Sequence, residues 1–426
     1  MILVGTDLSE AAAHALEVAR ALAAQAGDRE VILVHVVDPE RPEAGGGDLD
    51  AARELLEALA HDPGPGPAIR TEIVVGEPDA TLVGFADTER CDLIVIAAAS
   101  RATEESDATR LGRTAAAVIS KATVPVIAVR DPAPWLAFAR GERPLRLLVG
   151  VDESATCDLG IQWVKALARR GKVSVVLGAI YYTDEAAEFY GLGGRHLVDR
   201  DPEIERLTER DLLRRFGAPA GVELTAKARR GLGRIGDHVC ELARDEAVDA
   251  ILVGTGQKTG LGKLGSVSGV VVADAAQSVV CVPPQADVTV QSVPLLRRAL
   301  VATDLSPFAN RAVPYAFALA GGNGEVHVVH VVKPDDAPEV DEPALVDQLY
   351  ALAPAGSAAA KTLAHVVRGE DAALAIAQCA ARLGVDVICI ASHGRSGISR
   401  ALVGSVADRL LRATRLPVLV LRPQDS

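Results

Sequence analysis

Three stretches of the chain decide its architecture: ILVGTDLSEAAAHALEVARALA from Ile2, LLVGVDESATCDLGIQWVKALA from Leu147, and ALVATDLSPFANRAVPYAFALA from Ala299. Each starts with a short unbroken apolar run, the pattern of a parallel strand buried on both faces. An Asp-x-Ser follows at Asp7, Asp152 and Asp304, and then an apolar stripe of helical period. The serine is placed to cap that helix by accepting from amides of its first turn. Asp7 and Asp152 are 145 residues apart, and Asp152 and Asp304 are 152 apart. Those intervals are domain-sized, so the chain reads as one unit written three times.

The copies stay in step beyond the opening. A second strand reads REVILVHVVDPE, GKVSVVLGAIYYTDE and GEVHVVHVVKPDD, and a third ends at Gly76, Gly231 and Gly369, each before a helix. The fourth, the most apolar, reads CDLIVIAAA, VDAILVGTG and VDVICIASHG, and a closing strand reads PVIAVRDP, SVVCVPP and PVLVLRP. Strand and helix in regular alternation predict parallel sheets with right-handed crossovers and helices on both faces. We therefore expect an α/β protein of three tandem open parallel-sheet, Rossmann-like domains at residues 1–131, 144–284 and 296–424. The proline-rich stretches 131–144 and 283–294 read as boundaries, and residues 41–67 as a mobile connection with a helix at DLDAARELLEALA. The matching insert of the middle copy, residues 181–221, is the longest and most charged, and its sequence assigns it no role.

Composition narrows the chemistry. The chain is 49% hydrophobic but only 3% aromatic, so its cores must be built from Ala, Val, Leu and Ile. That content excludes a mostly disordered chain. No apolar run reaches the ~18 residues of a membrane span, so no membrane partner is expected. The opening MILVGTDLSE lacks a basic leader region and reads as a strand, so no secretory leader is expected. A net charge of −13 argues against nucleic acid binding through the general field. The six cysteines form no C-x-x-C and no zinc-like spacing with histidine, which suits a reducing cytoplasm.

The sharpest chemistry follows the fourth strand of the last copy, in ASHGRSGISRALVGSV from Ala391 to Val406. A strand ends in a loop of small residues, and a new helix starts near Gly404 and Ser405. Open parallel sheets bind ligands at the carboxyl ends of their strands. Glycines let backbone N–H groups approach phosphate oxygens, and a helix N-terminus adds favourable potential. Ser405 can donate its hydroxyl to a terminal phosphate. Asp304 ends the first strand on the same edge, where a carboxylate can accept from a ribose hydroxyl or help hold a metal.

This loop resembles the nucleotide-binding signature of the universal stress protein family, G-x2-G-x9-G-[ST]. Gly394, nine intervening residues, Gly404 and Ser405 fit it, with Ala391 in place of the first glycine. The resemblance covers nearly the whole chain as three tandem domains, and it implies an adenine nucleotide alpha-hydrolase-like fold. It puts Asp304 and Val331 near adenine and ribose, and Ala391, Gly394, Arg395, Gly397, Gly404, Ser405 and Val406 around the phosphates. It also implies that such domains pair through their last strand; three in one chain leave one unpaired, so a homodimer is expected.

The other copies depart from the signature. In the middle copy, GTGQKTGLGKLGS from Gly254, Gln257 stands where Gly394 lies and only seven residues separate it from Gly265. It keeps Gly265-Ser266, so altered nucleotide binding is compatible with it. In the first copy Ser100 replaces the second glycine, Glu104, Glu105 and Asp107 crowd the loop, and Arg113 replaces the serine. Acidic side chains repel a phosphate, so this copy is expected to have lost the site.

Other motifs read better as structure. Gly231, Gly233 and Gly236 match a dinucleotide fingerprint, but at the third strand of their unit, where a turn with close helix packing is the better reading. His393 borders the loop without partners for nucleophilic catalysis and reads as a lining residue. His35 and His330 occupy equivalent strand positions and read as structural. His327 and His330, three apart on a strand, face opposite ways and cannot share a metal. For Asp7 the capping role is favoured, and for Asp304 the ligand role.

These readings converge on a cytoplasmic stress-response protein that binds ATP with Mg²⁺ in its third domain and acts as a sensor or regulator. No catalytic residue is identified, and weak ATP hydrolysis is the most expected of it. The alternatives are a slow ATP hydrolase or nucleotide-transferring enzyme of a related fold, and a nucleotide-free scaffold.

Overall fold

The computed structural model describes residues 1–28, 30–39, 49–61, 66–98, 111–152, 155–193, 200–217, 222–256, 267–286, 296–321, 324–335, 340–354, 360–391 and 405–421. The chain forms two compact units, one of Met1–Tyr182 with Thr208–Val290 and one of Thr183–Leu207 with Gln291–Ser426.

In the first unit the first copy contributes β1 (Ile2–Thr6), α1 (Glu10–Ala26), β2 (Glu30–Val37), α2 (Leu49–Ala60), β3 (Ala68–Val75), α3 (Pro78–Thr88), β4 (Leu93–Ala97), α4 (Arg113–Lys121) and β5 (Val126–Val129). A helix α5 (Ala133–Ala139) leads into the second copy: β6 (Leu145–Gly150), α6 (Ala155–Ala168), β7 (Val173–Tyr181), α7 (Thr183–Tyr190), α8 (Pro202–Phe216), β8 (Val222–Arg230), α9 (Ile235–Asp245), β9 (Ala250–Gly254), α10 (Val267–Asp274) and β10 (Ser278–Val282). The strands form one ten-stranded sheet in the order β3-β2-β1-β4-β5-β10-β9-β6-β7-β8. Every pair is parallel except the seam, where β5 and β10 run antiparallel with Ile127 opposite Val280. The closing strands of two copies thus join them into one sheet, which removes two exposed edges.

The central strands β1, β4, β9 and β10 are apolar almost throughout because helices cover both faces, whereas the outer strands β3 and β8 carry charged residues. β1 is buried at all five residues. On one face Val4, Leu33 and Val95 pack with α1, α2 and α5, and on the other Leu3, Ile32 and Ile94 pack with α3 and α4. α1 starts where Ser9 accepts from the Ala12 amide and stops at Gly27, whose φ of 76° suits a left-handed cap. The aliphatic core is as composition predicts, with a local exception. The boundary stretch 131–144 is not merely a connector: α5 buries Trp135 and Phe138 completely in the core. The helix expected within residues 41–67 is α2, anchored by fully buried Leu56.

The third copy gives β11 (Arg298–Ala302), a 3₁₀ turn (Ala309–Ala312), α11 (Val313–Ala320), β12 (Glu325–Val332), α12 (Glu342–Ala351), β13 (Lys361–Arg368), α13 (Ala372–Leu383), β14 (Val387–Ala391), α14 (Ser405–Ala413) and β15 (Val418–Leu421). Its sheet is wholly parallel in the order β13-β12-β11-β14-β15. α11 and α12 cover one face, α13 and α14 the other. The helix after Asp304 does not run unbroken from its serine as α1 does. Ser306 accepts from the Ala309 amide as a cap should, but a 3₁₀ turn follows, and α11 begins with Pro314 in its first turn. Proline lacks the amide that would extend the helix backwards. The capping serine of the middle copy, Ser154, lies outside the described residues. No described helix is long and apolar enough to cross a membrane.

Candidate functional site

In the third copy the sheet order reverses between β11 and β14, each being the other's neighbour although they are far apart in sequence. Crossovers there leave in opposite directions, and the carboxyl ends of two such strands are where open sheets take their ligands. Asp304 lies two residues past the last β11 pairing, that of Ala302 with Val329 and Ile390. Val331 stands two residues past Val329, and Ala391 one past Ile390, so all three share the carboxyl edge. Asp304 is exposed, and Val331 and Ala391 are half-buried. Ser405 is the first residue of α14 and exposed, followed by half-buried Val406. The structure therefore brings Asp304, Val331 and Ala391 to one edge. Gly394, Arg395, Gly397 and Gly404 lie outside the described residues, as do His393, Gln257, Gly265 and Ser266 of the middle copy, and Ser100, Glu104, Glu105 and Asp107 of the first.

The turn that carries Asp304 is held by four side chains. Leu305 adopts φ 65°, a left-handed conformation that costs a leucine roughly 1 kcal/mol. The Leu305 amide donates to Thr303 Oγ1 at 2.9 Å, and the Ser306 amide donates to Asp304 Oδ1 at 3.0 Å. The Thr303 hydroxyl donates to Asn310 Oδ1 at 2.6 Å. His330 on β12 completes the set, its Nδ1 lying 2.9 Å from the Thr303 carbonyl. A carbonyl only accepts, so that nitrogen carries the ring proton.

The first copy repeats this turn almost atom for atom. Leu8 has φ 61°, its amide donates to Thr6 Oγ1 at 3.0 Å, and the Ser9 amide donates to Asp7 Oδ1 at 3.1 Å. His35 Nδ1 lies 2.9 Å from the Thr6 carbonyl. Both histidines are thus structural, as their matching positions suggest. Sequence reading missed their threonine partners, although Thr6 and Thr303 precede the aspartates in the same register. The middle copy has Val151 in place of the threonine, and Arg215 from α8 donates to the Asp152 carbonyl while pairing with Asp158. At its helix start the first copy places exposed Arg113, where the positive end of the helix disfavours a cation.

Behind the third-copy edge, Arg409 of α14 ties two elements together. Its Nε donates to the Ser405 carbonyl at 3.3 Å and its Nη1 to Asp371 Oδ2 at 2.9 Å. Asp371 caps α13 by accepting from the Ala373 and Leu374 amides. The first turn of α14 is therefore fastened to the first turn of α13.

Two further motifs resolve as structure. Gly233 has φ 82°, and a Cβ on Gly236 would stand 2.5 Å from Val270, so the Gly231 to Gly236 run is a tight turn with close packing of α9 on α10. His327 meets His365 on β13, while His330 lies against the Thr303 carbonyl. Among the described residues no group of three or more His, Cys, Asp or Glu is placed to hold a metal ion.

The sequence matches the profile described as the universal stress protein family three times, over residues 1–130, 145–283 and 296–422. No curated protein matches the chain. Among solved structures, it is similar to a universal stress protein from Archaeoglobus fulgidus DSM 4304, 18% identical over 66% of this chain and 95% of that one, with a TM-score of 0.46. It is also similar to a universal stress protein in complex with cAMP, 24% identical over 30% of this chain and 99% of the other, TM-score 0.26. Universal stress protein UspA from Lactobacillus plantarum is 28% identical over 30% and 94% of the respective chains, TM-score 0.25.

Proposed function

The chain belongs to the universal stress protein family, and from that premise we propose that its third copy binds ATP with Mg²⁺ and serves as a cytoplasmic sensor or regulator in a stress response. The observation that supports this reading is the carboxyl edge of β11, β12 and β14. There an exposed carboxylate and two half-buried apolar residues share the strand ends, and the glycine-rich stretch 391–404 runs in sequence from Ala391 to the serine that heads α14. Asp304 would accept from the ribose, Val331 and Ala391 would border the base and sugar, and the amides of Gly394, Arg395, Gly397 and Gly404 with Ser405 and Val406 would face the phosphates. Mg²⁺ commonly keeps several waters and is bound through substrate phosphates, so in this reading the nucleotide's own phosphates would supply most of its ligands while Asp304 stays on the ribose. The bound ion would neutralise phosphate charge, which matters in a chain of net charge −13.

In this reading the first copy has lost its phosphate site and the middle copy keeps an altered one. Both then serve mainly as packing partners. A homodimer through the third copy fits the same picture. β15 has no neighbour on its outer edge among the described residues and is only half-buried, whereas its counterpart β5 is buried against β10.

The test is to denature the purified protein and chromatograph what it releases, then to titrate the emptied protein with ATP, ADP and cAMP. Released ATP without turnover supports a sensor. ADP with repeated turnover would make it a hydrolase, and no nucleotide with no titratable binding would make it a scaffold. Gly394→Val should abolish ATP binding.

A further inference from the structure

Only part of the middle copy's insert stays with the middle copy. Residues Thr183–Leu207 belong to the same compact unit as the third copy. α7 lies against α13: Tyr190 and Leu207 are buried with Ala381, and Leu192 packs beside them. The contact is specific in its polar atoms too. Gln378 of α13 donates from Nε2 to the Glu188 carbonyl at 3.0 Å, in the last turn of α7. α7 ends in a left-handed cap, with the Leu192 amide donating to the Ala187 carbonyl at 2.9 Å and the Gly191 amide to that of Glu188 at 3.1 Å. Gly191 has φ 63°, and a Cβ there would come within 3.1 Å of Gln378. Glycine is required at that point twice over, by conformation and by the closeness of α13.

α13 is the helix whose capping Asp371 holds Arg409, and Arg409 holds the Ser405 carbonyl. Gln378 sits about two helical turns from Asp371, a distance of roughly 10 Å along the axis. We propose that α7, with its cap at Gly191 and Leu192 and with Leu207, is a positioning latch, which fixes α13 from outside and through it the first turn of α14, where Ser405 stands. Its consequence for nucleotide affinity rests on the ATP reading given above. The latch makes the third copy's site depend on a segment written into the second. That dependence gives the longest and most charged insert a role that neither strand pairing nor the glycine loop supplies.

The experiment uses the full chain and reads amide hydrogen exchange by mass spectrometry, with ATP titration alongside. Gln378→Ala removes one hydrogen bond from a half-buried side chain and keeps the fold. It should speed exchange about three- to tenfold in α7, α13 and the first turn of α14, and leave α11 unchanged. Gly191→Val should do the same more strongly. Asp371→Asn keeps the cap, since asparagine caps as well, but loses the ion pair to Arg409. It should loosen α14 while α7 keeps its wild-type rates. ATP affinity should fall by a similar factor in all three variants. If Gln378→Ala and Gly191→Val loosen α7 alone and α14 exchanges as in wild type, the latch is overturned. If wild type binds no ATP, the nucleotide reading fails, and the exchange in α14 still decides the latch.

Discussion

His327 on β12 and His365 on β13 face each other with Nδ1 of the first 2.9 Å from Nε2 of the second, so that one proton is shared between two neutral rings. His327 is 4% exposed, and among the described residues its buried Nε2 has no hydrogen-bond partner, lying 3.8 Å from Glu325. Burial first, and then His365, push its pKa down from 6.5 to about 4 against the pull of Glu325; Arg298 and Lys361 add to the depression. His365 is lowered as well, by burial and by Arg382.

Protonation is thus harder in the folded chain than in the unfolded one. The stability involved is intact above pH 6.5 and is lost as pH falls from there through about 4. At roughly 1.4 kcal/mol per unit the full loss from His327 is about 3 kcal/mol. Urea denaturation at pH 7 and pH 4.5 should show it. His327→Ile, which installs the residue found at the matching position Ile32, should flatten the difference between the two pH values. An equally steep loss in the variant would assign the acid sensitivity to other groups.

A second stability prediction concerns α5. Trp135 is fully buried in the core of the ten-stranded unit, and its indole N–H has no hydrogen-bond partner among the described residues. Trp135→Ala should destabilise by about 3–5 kcal/mol, the range for large-to-small changes at buried aromatic sites. Trp135→Phe should cost less than half of that, because it also removes an unpaired buried donor. Equal losses in the two variants would mean that the indole nitrogen has a partner.

The strands were legible in the sequence because a parallel sheet covered on both faces needs unbroken apolar runs such as those of β1, β4 and β14. Their threefold recurrence made the architecture legible as well. What escaped reading depends on tertiary partners. The proline-rich composition of residues 131–144 hid α5, since nothing local says that Trp135 and Phe138 have a core to enter. The 3₁₀ start before α11 turns on Pro314, while the repeat suggested a copy of α1. The insert could not be assigned because its contacts, Tyr190 with Ala381 and Gln378 with Glu188, span about 190 residues. At the candidate site, Asp304 was legible from its strand-end position. Arg409 was not, because its role comes from Asp371 on another helix.

The antiparallel seam in the first unit shows what a closing strand does when another copy is present. Ile127 of β5 faces Val280 of β10, and both are buried. Leu419 holds the position of Ile127 in the third copy, and there it is only half-buried. If two chains join β15 to β15, sedimentation should find a dimer, and Leu419→Lys should yield a folded monomer by placing a charge on the joining edge. A wild-type monomer at all concentrations would sink the dimer. Dimers persisting in the variant would move the interface elsewhere.

The matching turns of the first and third copies allow ligand binding to be separated from structure. Asp7 and Asp304 accept from Ser9 and Ser306 amides in the same way, beside leucines with the same left-handed φ. Asp7→Ala and Asp304→Ala each leave one turn amide without its acceptor, so each should cost about 1 kcal/mol of stability. Only Asp304→Ala also removes the carboxylate proposed to accept from the ribose. Calorimetric titration should therefore find ATP affinity lowered about tenfold or more in Asp304→Ala and unchanged in Asp7→Ala, since a hydrogen bond to a charged group contributes roughly 1.5–3 kcal/mol. Equal weakening by the two substitutions would mean that a nucleotide also occupies the first copy. No weakening by either would take the ribose away from Asp304.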